Sequence, residues 1–556
     1  MRYADARAAV LGPGSYFEVR DEDVRGTVMP VFRHRVRRLD DLLRRSALFG
    51  DRTYLVDGDV RLTFAEHLAL VDAFAVSLQE DHGVKSGDRV ALFAANRWEW
   101  VVAFWAVVAA GAVPCAFNGM WTEDEASYAT ALVEPVLIIG DVKRLGAVSS
   151  ASGVAPPRVD LDLIPLAVES NRGAVPSPVQ VGEDDPAVLI FTSGTTGRPK
   201  AVTTPHRALC GADQVNSCAE TIAMVALADA SVPPAGGALP LRDDVVLVTS
   251  PLFHTSMLYG VVLRALARGS CYVLLPGRFE PDRVLETIEF ERVTSWLALG
   301  SAAPRVCARA ALARYDTSSV GHVGVGGAAV SPTVQDAIRS TFPNARRGLS
   351  IGYSSTEAVT VVANLSGKEL EANPTSTGRA AVTVEIEVRG PDDEQVADGD
   401  LGEIHVRSPY LMLGYWNDPE ASAAVLKPGG WLAMGDLGRL VNGLLHIETR
   451  ARDMILVNAE NVAPTEVEHR LEAHDDVGEA AVFAVDDAFT GDAVCAVIVS
   501  DVDIDTDDLA AWCAEVLAPY KVPTRWHLVA DPLPRTASGK LMKDDIRKKV
   551  SEETNA

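Results

Sequence analysis

Between residues 53 and 342 short β-branched runs alternate with helix-length amphipathic stretches, the pattern of parallel strands joined by helical crossovers. Residues 90–95, 187–192, 245–249, 271–275 and 320–325 are the predicted strands, and residues 98–110, 252–267 and 281–291 the predicted crossover helices. The longest apolar stretch, residues 101–117, is broken by Gly111 and Pro114 and is short for a bilayer span. It reads as a buried helix turning into a strand. Residues 151–186 and 226–243, rich in Pro, Gly, Asp and Ser, interrupt the rhythm and are expected to be surface excursions. After Gly378 the pattern changes to short alternating strands (384–388, 403–406), which predicts a smaller β-rich subdomain. The last hundred residues mix strands (480–485, 493–499) with helices (464–474, 507–517) as a compact α+β unit. The expected fold class is α/β: a large N-terminal domain of mixed parallel sheets with helices and a β-rich subdomain, then a small C-terminal α+β domain.

Charge narrows the partners. Of 556 residues, 51 are Lys or Arg and 76 Asp or Glu, so 51 − 76 = −25, and such a surface repels phosphodiester backbones. Nucleic acid is excluded as an expected partner. Cys115, Cys210, Cys218, Cys271, Cys307, Cys495 and Cys513 stand singly, with no C-x-x-C pair, which suggests neither a disulfide framework nor a zinc knuckle and fits a reducing compartment. The first twenty residues lack an apolar signal core, so a cytoplasmic protein without a transmembrane segment is expected. Arg33, Arg35, Arg37 and Arg38 read as a solvated cluster on the side of a helix, with weak peripheral membrane contact as the alternative use. The sequence leaves homo-oligomerisation open.

Chemistry enters at residues 187–200, where a predicted strand runs into Ser193-Gly194-Thr195-Thr196-Gly197-Arg198-Pro199-Lys200. Two glycines let the backbone fold tightly with its N–H groups facing one concavity, and the hydroxyls of Thr192, Ser193, Thr195 and Thr196 with the Lys200 ammonium add donors for an anion. The spacing is not the G-x-x-x-x-G-K-[ST] of a P-loop. A polar hairpin turn between two strands is the plain alternative. The density of hydroxyls and the closing Pro-Lys favour a phosphate cradle.

This octet resembles the signature of the ANL superfamily of adenylate-forming enzymes: acyl-CoA synthetases, adenylation domains and luciferases. Further matches run in order from about residue 51 to 547. Pro251-Leu252-Phe253-His254 resembles P-L-F-H, Gly326-Gly327-Ala328 a G-G-A loop, and Gly352-Tyr353-Ser354-Ser355-Thr356-Glu357 the motif G-Y-G-x-T-E. Gly414-Tyr415-Trp416 resembles G-Y-W, Gly435-Asp436 the end of T-G-D with Met434 in place of Thr, Arg450-x-Arg452-Asp453 the hinge motif, and 534–540 the C-terminal lysine loop. The resemblance implies a boundary near the hinge, with residues 1–452 carrying the acyl and ATP sites and residues 453–556 forming a mobile domain that pivots at Asp453.

It also implies roles. The loop Thr192, Ser193, Gly194, Thr195, Thr196, Gly197 and Lys200 holds the β- and γ-phosphates. Thr356 touches phosphate, Glu357 ligates Mg²⁺, and Thr196 stands with it as a metal and catalytic candidate. Tyr353 offers its flat ring to the adenine, Gly326, Gly327 and Ala328 let the backbone approach the base or the acyl carboxylate, and Gly352 and Ser354 belong to the same nucleotide-binding set. Asp436 accepts the ribose hydroxyls and Arg450 is a second ribose or phosphate contact. His254 stands between acyl pocket and nucleotide, and Ser256, Met257, Tyr259 and residues 296–299 are candidate pocket lining. Lys540 bridges acyl carboxylate and α-phosphate during adenylation. Asn458-Ala459 occupy a place where coenzyme-A ligases commonly have Gly-Gly, which implies a narrower thiol tunnel.

The implied activity is that of an acyl-CoA ligase using ATP, Mg²⁺ and coenzyme A on a small carboxylic acid, with a fatty acid or another hydrophobic acid as the expected substrate. Delivery of acyl-AMP to a carrier protein and a nucleotide-binding pseudoenzyme are the rival readings. Nothing in the sequence supports luciferase-like oxygenation.

Overall fold

A computed structural model describes residues 3–148, 156–192, 198–226, 231–234, 243–275, 277–312, 314–327, 330–457, 460–487, 491–536 and 541–554. Two large sheets dominate the first 380 residues. One, among the described residues, has seven strands in the order Gly414–Tyr415, Lys200–Pro205, Pro186–Thr192, Val113–Ala116, Arg89–Phe93, Leu137–Gly140 and Arg158–Asp160. The other has nine, from Arg379–Ala380 at one edge to Val60–Thr63 at the opposite edge, with Leu349–Tyr353, His322–Gly326, Ser295–Leu299, Val245–Val248, Cys271–Leu274 and Thr53–Asp57 as its parallel centre. The chain begins the nine-stranded sheet at residues 53–63, leaves to build most of the seven-stranded one, and returns at Val245.

Helices fill the space between the sheets. Phe64–Glu80 starts with a capping box in which Thr63 and Glu66 satisfy each other's backbone N–H groups. Trp98–Ala109 is buried on every side beyond its first residue, and carries Trp100, Phe104 and Trp105 into the core. The pleat explains how one strand serves two faces. Val90 and Leu92 join the core between the sheets, while Ala91 and Phe93 pack with Ala126, Ala129 and Val133 of the helix Glu123–Val133 on the other face.

The β-rich subdomain is an antiparallel sheet built on Trp431–Val441, flanked by Gly402–Arg407 and Leu444–Arg450. The terminal unit places Glu479–Asp487 antiparallel and Arg525–Val529 parallel to the strand Gly491–Val499. Its core of Ile455, Val467, Leu471, Val482, Ile498 and Leu509 is separate from the others. Among the described residues no helix is long and apolar enough to cross a membrane.

Three local expectations change. Residues 158–170 form an edge strand, a helical turn and the helix Ile164–Ser170, so this stretch belongs to the seven-stranded sheet rather than to a surface excursion. The expected helix over 252–267 is interrupted: Thr255–Met257 and Arg264–Arg268 are α-helical and Leu258–Leu263 is a π-helix. The N-terminal arginines are not a solvated helix face. Arg35 has a side chain only 3% exposed, clamped between Glu22 (2.7 Å) and Glu183 (2.5 Å), Arg37 also reaches Glu183, Arg33 reaches Glu18, and Arg38 reaches Asp41. The reason is long-range. Glu183 lies 148 residues from Arg35 and only the fold brings them together.

Candidate active site

Lys200–Pro205 pairs antiparallel with Pro186–Thr192, with Lys200 opposite Thr192. The two strands that flank the glycine- and hydroxyl-rich segment are therefore neighbours in one antiparallel pair. Ser193, Gly194, Thr195, Thr196 and Gly197 themselves lie outside the described residues. Lys200 sits where the hairpin re-enters the sheet, with Nζ 4.9 Å from the ring centroid of Tyr415. Register explains the contact. Tyr415 is opposite Val202, and Lys200, two residues earlier, shares the same face of the sheet.

Tyr415 in turn donates its O–H to Glu357 Oε1 at 2.9 Å. Burial, then the adjacent Glu357 carboxylate, holds its phenol far above the usual range, so it remains a donor at any working pH. Glu357 and Thr356 lie in the turn after Leu349–Tyr353. Thr255 donates its hydroxyl to Thr356 Oγ1 at 3.1 Å, so the segment following His254 touches this turn. The backbone fixes Glu357 as well, since Met412 N donates to its carbonyl at 2.9 Å.

On the same segment, Tyr353 donates its hydroxyl to Asp436 Oδ2 at 2.5 Å, and Arg450 Nε meets Asp436 Oδ1 at 2.9 Å. Asp436 and Arg450 are direct cross-strand partners, which is why a buried carboxylate and a half-buried guanidinium meet. Burial and then Asp436 push the Tyr353 phenol well up. Gly435 before Asp436 has φ +69°, a conformation that favours glycine. Met434 approaches Ser355, whose hydroxyl lies 4.0 Å from Sδ. Ser354 points its hydroxyl at the Thr360 carbonyl.

Gly326 ends its strand within reach of the next one: a Cβ there would lie 3.1 Å from the Gly352 carbonyl oxygen. Gly327 follows with φ +76°, and Ala328 lies outside the described residues. His254 precedes the helical turn Thr255–Met257, its ring 5.3 Å from that of Phe253, and burial pushes its imidazole down to about 4, so it is neutral at pH 7. Met257, Leu258 and Tyr259 are buried behind it, with the Tyr259 hydroxyl on Thr204 at 3.1 Å. Of residues 296–299, Leu297 and Leu299 face this core, whereas Trp296 and Ala298 alternate to the opposite face, where Trp296 packs near Phe342.

At the other end of the chain, Lys540 and Asn458-Ala459 lie outside the described residues. The flanks of the lysine loop are fixed: Arg535 pairs with Glu479 at 3.1 Å, Lys543 with Glu468 at 2.6 Å, and Arg535 and Leu541 form an antiparallel bridge. Asp453 closes a 3₁₀ turn after Leu444–Arg450, its carboxylate 3.6 Å from Arg452 Nε.

Contacts thus run from Lys200 through Tyr415 to Glu357, and from Tyr353, four residues earlier, through Asp436 to Arg450. Two participants were not singled out from the sequence. Thr255 carried no local signal, and Tyr415 was visible only as the middle of a motif, because its target is 58 residues away.

The fold is that of an adenylate-forming α/β enzyme. A model of the AMP-binding enzyme family matches residues 42–416, and one of the AMP-binding enzyme C-terminal domain matches residues 466–540. The chain is 32% identical over 534 residues to the 3-[(3aS,4S,7aS)-7a-methyl-1,5-dioxo-octahydro-1H-inden-4-yl]propanoyl:CoA ligase of Rhodococcus jostii (strain RHA1), covering 91% of this chain and 97% of that protein. It is 32% identical over 512 residues to a feruloyl-CoA synthase of an Amycolatopsis species, covering 91% and 98%. The solved o-succinylbenzoate CoA synthetase of Bacillus subtilis, in complex with an acyl-adenylate intermediate, superposes with a TM-score of 0.76 at 26% identity over 91% of this chain and 97% of that one. The chain belongs to the AMP-binding enzyme family, the ANL superfamily of its acyl-CoA synthetase type. Its class is that of an AMP-forming acid–thiol ligase.

Proposed function

We propose that the protein activates a hydrophobic carboxylic acid as its acyl-adenylate and passes the acyl group to coenzyme A. The observation that carries this reading is the pair of contact chains, which gathers the ends of five separate motifs around one site. In the first step a carboxylate oxygen attacks the α-phosphorus of ATP and pyrophosphate leaves. Lys200 and the hairpin it closes hold the outer phosphates, and Asp436, with Arg450 beside it, accepts from the ribose. Thr356 lies against phosphate, and Lys540 delivers its charge between acyl carboxylate and α-phosphate.

A Mg²⁺ ion fits Glu357. One carboxylate oxygen accepts from Tyr415, Oε2 has no partner among the described residues, and a single carboxylate alongside substrate phosphates is this ion's usual setting. When bound, it supplies charge neutralisation to the departing pyrophosphate. In the second step the thiol of coenzyme A attacks the acyl carbonyl and AMP leaves. The small domain turns about Asp453 between the steps, withdrawing Lys540 from the thiol's approach. The domain boundary at residues 452/453 is part of this proposal.

The apolar surface of buried Met257, Leu258 and Leu299 and half-buried Leu297, in the core that follows His254, supports an apolar acyl group. Fatty acids and ring-bearing propanoic or cinnamic-type acids are the candidates, the latter because the relatives named above act on such acids. The test is pyrophosphate release with each acid in the presence of hydroxylamine, then with CoA and with a holo-carrier protein as competing acceptors. Release with no apolar acid refutes the reading, and preference for the carrier redirects the second step. Lys540→Ala is expected to suppress adenylation while sparing thioester formation from supplied acyl-AMP; equal loss in both steps refutes the division of labour.

A further inference from the structure

We propose that Tyr415 is a positioning residue that sets the Glu357 carboxylate for its metal while holding the Lys200 ammonium beside the phosphates. The inference deepens the reading above and rests on it. A two-residue strand, Gly414–Tyr415, lies along the phosphate hairpin, with Val202 opposite Tyr415 and Thr203 opposite Gly414. Backbone bonds continue on both sides: Leu413 N donates to Thr203 O at 2.8 Å and Trp416 N to Ala201 O at 2.7 Å. The strap is gripped from behind as well. Ser422 Oγ accepts from Tyr415 N at 2.8 Å, and Arg25 donates to the carbonyls of Leu411 and Met412 at 3.3 and 3.2 Å.

The same strap holds Glu357 twice, through Met412 N to its carbonyl and through the Tyr415 hydroxyl to its carboxylate. Ring and hydroxyl therefore do different jobs. The ring face serves Lys200, for which any aromatic residue would suffice. The hydroxyl serves Glu357, engaging Oε1 and leaving Oε2 without a partner among the described residues. A flexible carboxylate that meets a metal alongside substrate phosphates gains from such a restraint, because its orientation is then set before the ion arrives. Among the described residues no group of three or more His, Cys, Asp or Glu converges to hold a metal.

The test compares wild type, Tyr415→Phe, Tyr415→Leu and Glu357→Gln as full-length chains, below their melting temperatures. Calorimetry measures the affinity of α,β-methylene-ATP with and without Mg²⁺. Tyr415→Phe is expected to lose roughly tenfold of the Mg²⁺-dependent gain in affinity and to keep the Mg²⁺-free affinity, the size set by one hydrogen bond to a charged group. Tyr415→Leu weakens both, and Glu357→Gln abolishes the Mg²⁺ gain. If Tyr415→Phe keeps the full gain while Glu357→Gln loses it, Tyr415 does not position the carboxylate and the site reading stands. If Glu357→Gln also keeps the gain, the site reading falls and takes this proposal with it.

Discussion

Replacing Asp436 by Asn keeps the volume and removes the charge, and its effects on stability and on ATP use are expected to separate. Two donors converge on the carboxylate, the Tyr353 O–H at 2.5 Å and Arg450 Nε at 2.9 Å. An amide has one acceptor oxygen, so it satisfies one of them and turns its NH₂ toward the other. Arg450 is 39% exposed and can turn to water, so the cost to folding stays near about 1 kcal/mol. The cost to ATP is larger. If the carboxylate accepts from the ribose, exchanging a charged acceptor for an amide forfeits about 1.5–3 kcal/mol, or roughly 10- to 150-fold in kcat/KM for ATP. KM for the acid should hardly move. Pyrophosphate release measured against ATP concentration at saturating acid, beside a thermal melt, reads both quantities. A variant that folds normally and keeps kcat/KM for ATP within about threefold of wild type refutes the ribose role. Tyr353→Phe, which leaves the charge in place, is the control and is expected to change stability more than ATP use.

Glu183→Ala removes the carboxylate shared by Arg35 and Arg207, whose side chains are 3% and 6% exposed, and is expected to cost about 3–5 kcal/mol in the first urea unfolding transition; an unchanged transition contradicts the network's importance. His67 is fully buried, with neither ring nitrogen hydrogen-bonded among the described residues, and burial pushes its imidazole down to about 3. Because the folded state resists a proton that the unfolded state accepts, its contribution is neutral above about pH 6.5 and destabilising as pH falls from there toward 3, reaching about 2 kcal/mol at pH 5. His67→Phe should therefore flatten the fall in stability between pH 6.5 and 5, and a slope identical to wild type would show that the ring protonates freely.

Much of this architecture can be read from residue patterns, because patterns report local preference. The strands at 186–192, 245–248 and 271–274 and the helices at 98–109 and 281–290 fall within a residue or two of expectation. Periodicity is silent about partners. Nothing in residues 53–57 says that they pair with 272–274, so the division of one α/β rhythm between two sheets was not legible. The π-helix at Leu258–Leu263 was hidden for a related reason: its apolar pattern fits an α-helix, and the wider turn is set by what surrounds it, including the Tyr54 hydroxyl that donates to the Val262 carbonyl at 3.3 Å. At the site, motif residues could be named one by one. The links between them, Tyr415 to Glu357 and Tyr353 to Asp436, needed the sheet register.

The route by which the chain leaves one sheet and later rejoins it has a consequence during synthesis. Leu55 pairs with Tyr272, more than two hundred residues further on. At about 5–20 residues per second, a ribosome exposes the early hairpin for roughly 10–40 s before its neighbour exists. During that interval the apolar edge at Tyr54–Val56 has no native strand to join on that side, which leaves it open to a nascent-chain chaperone and to mispairing when translation runs ahead of folding.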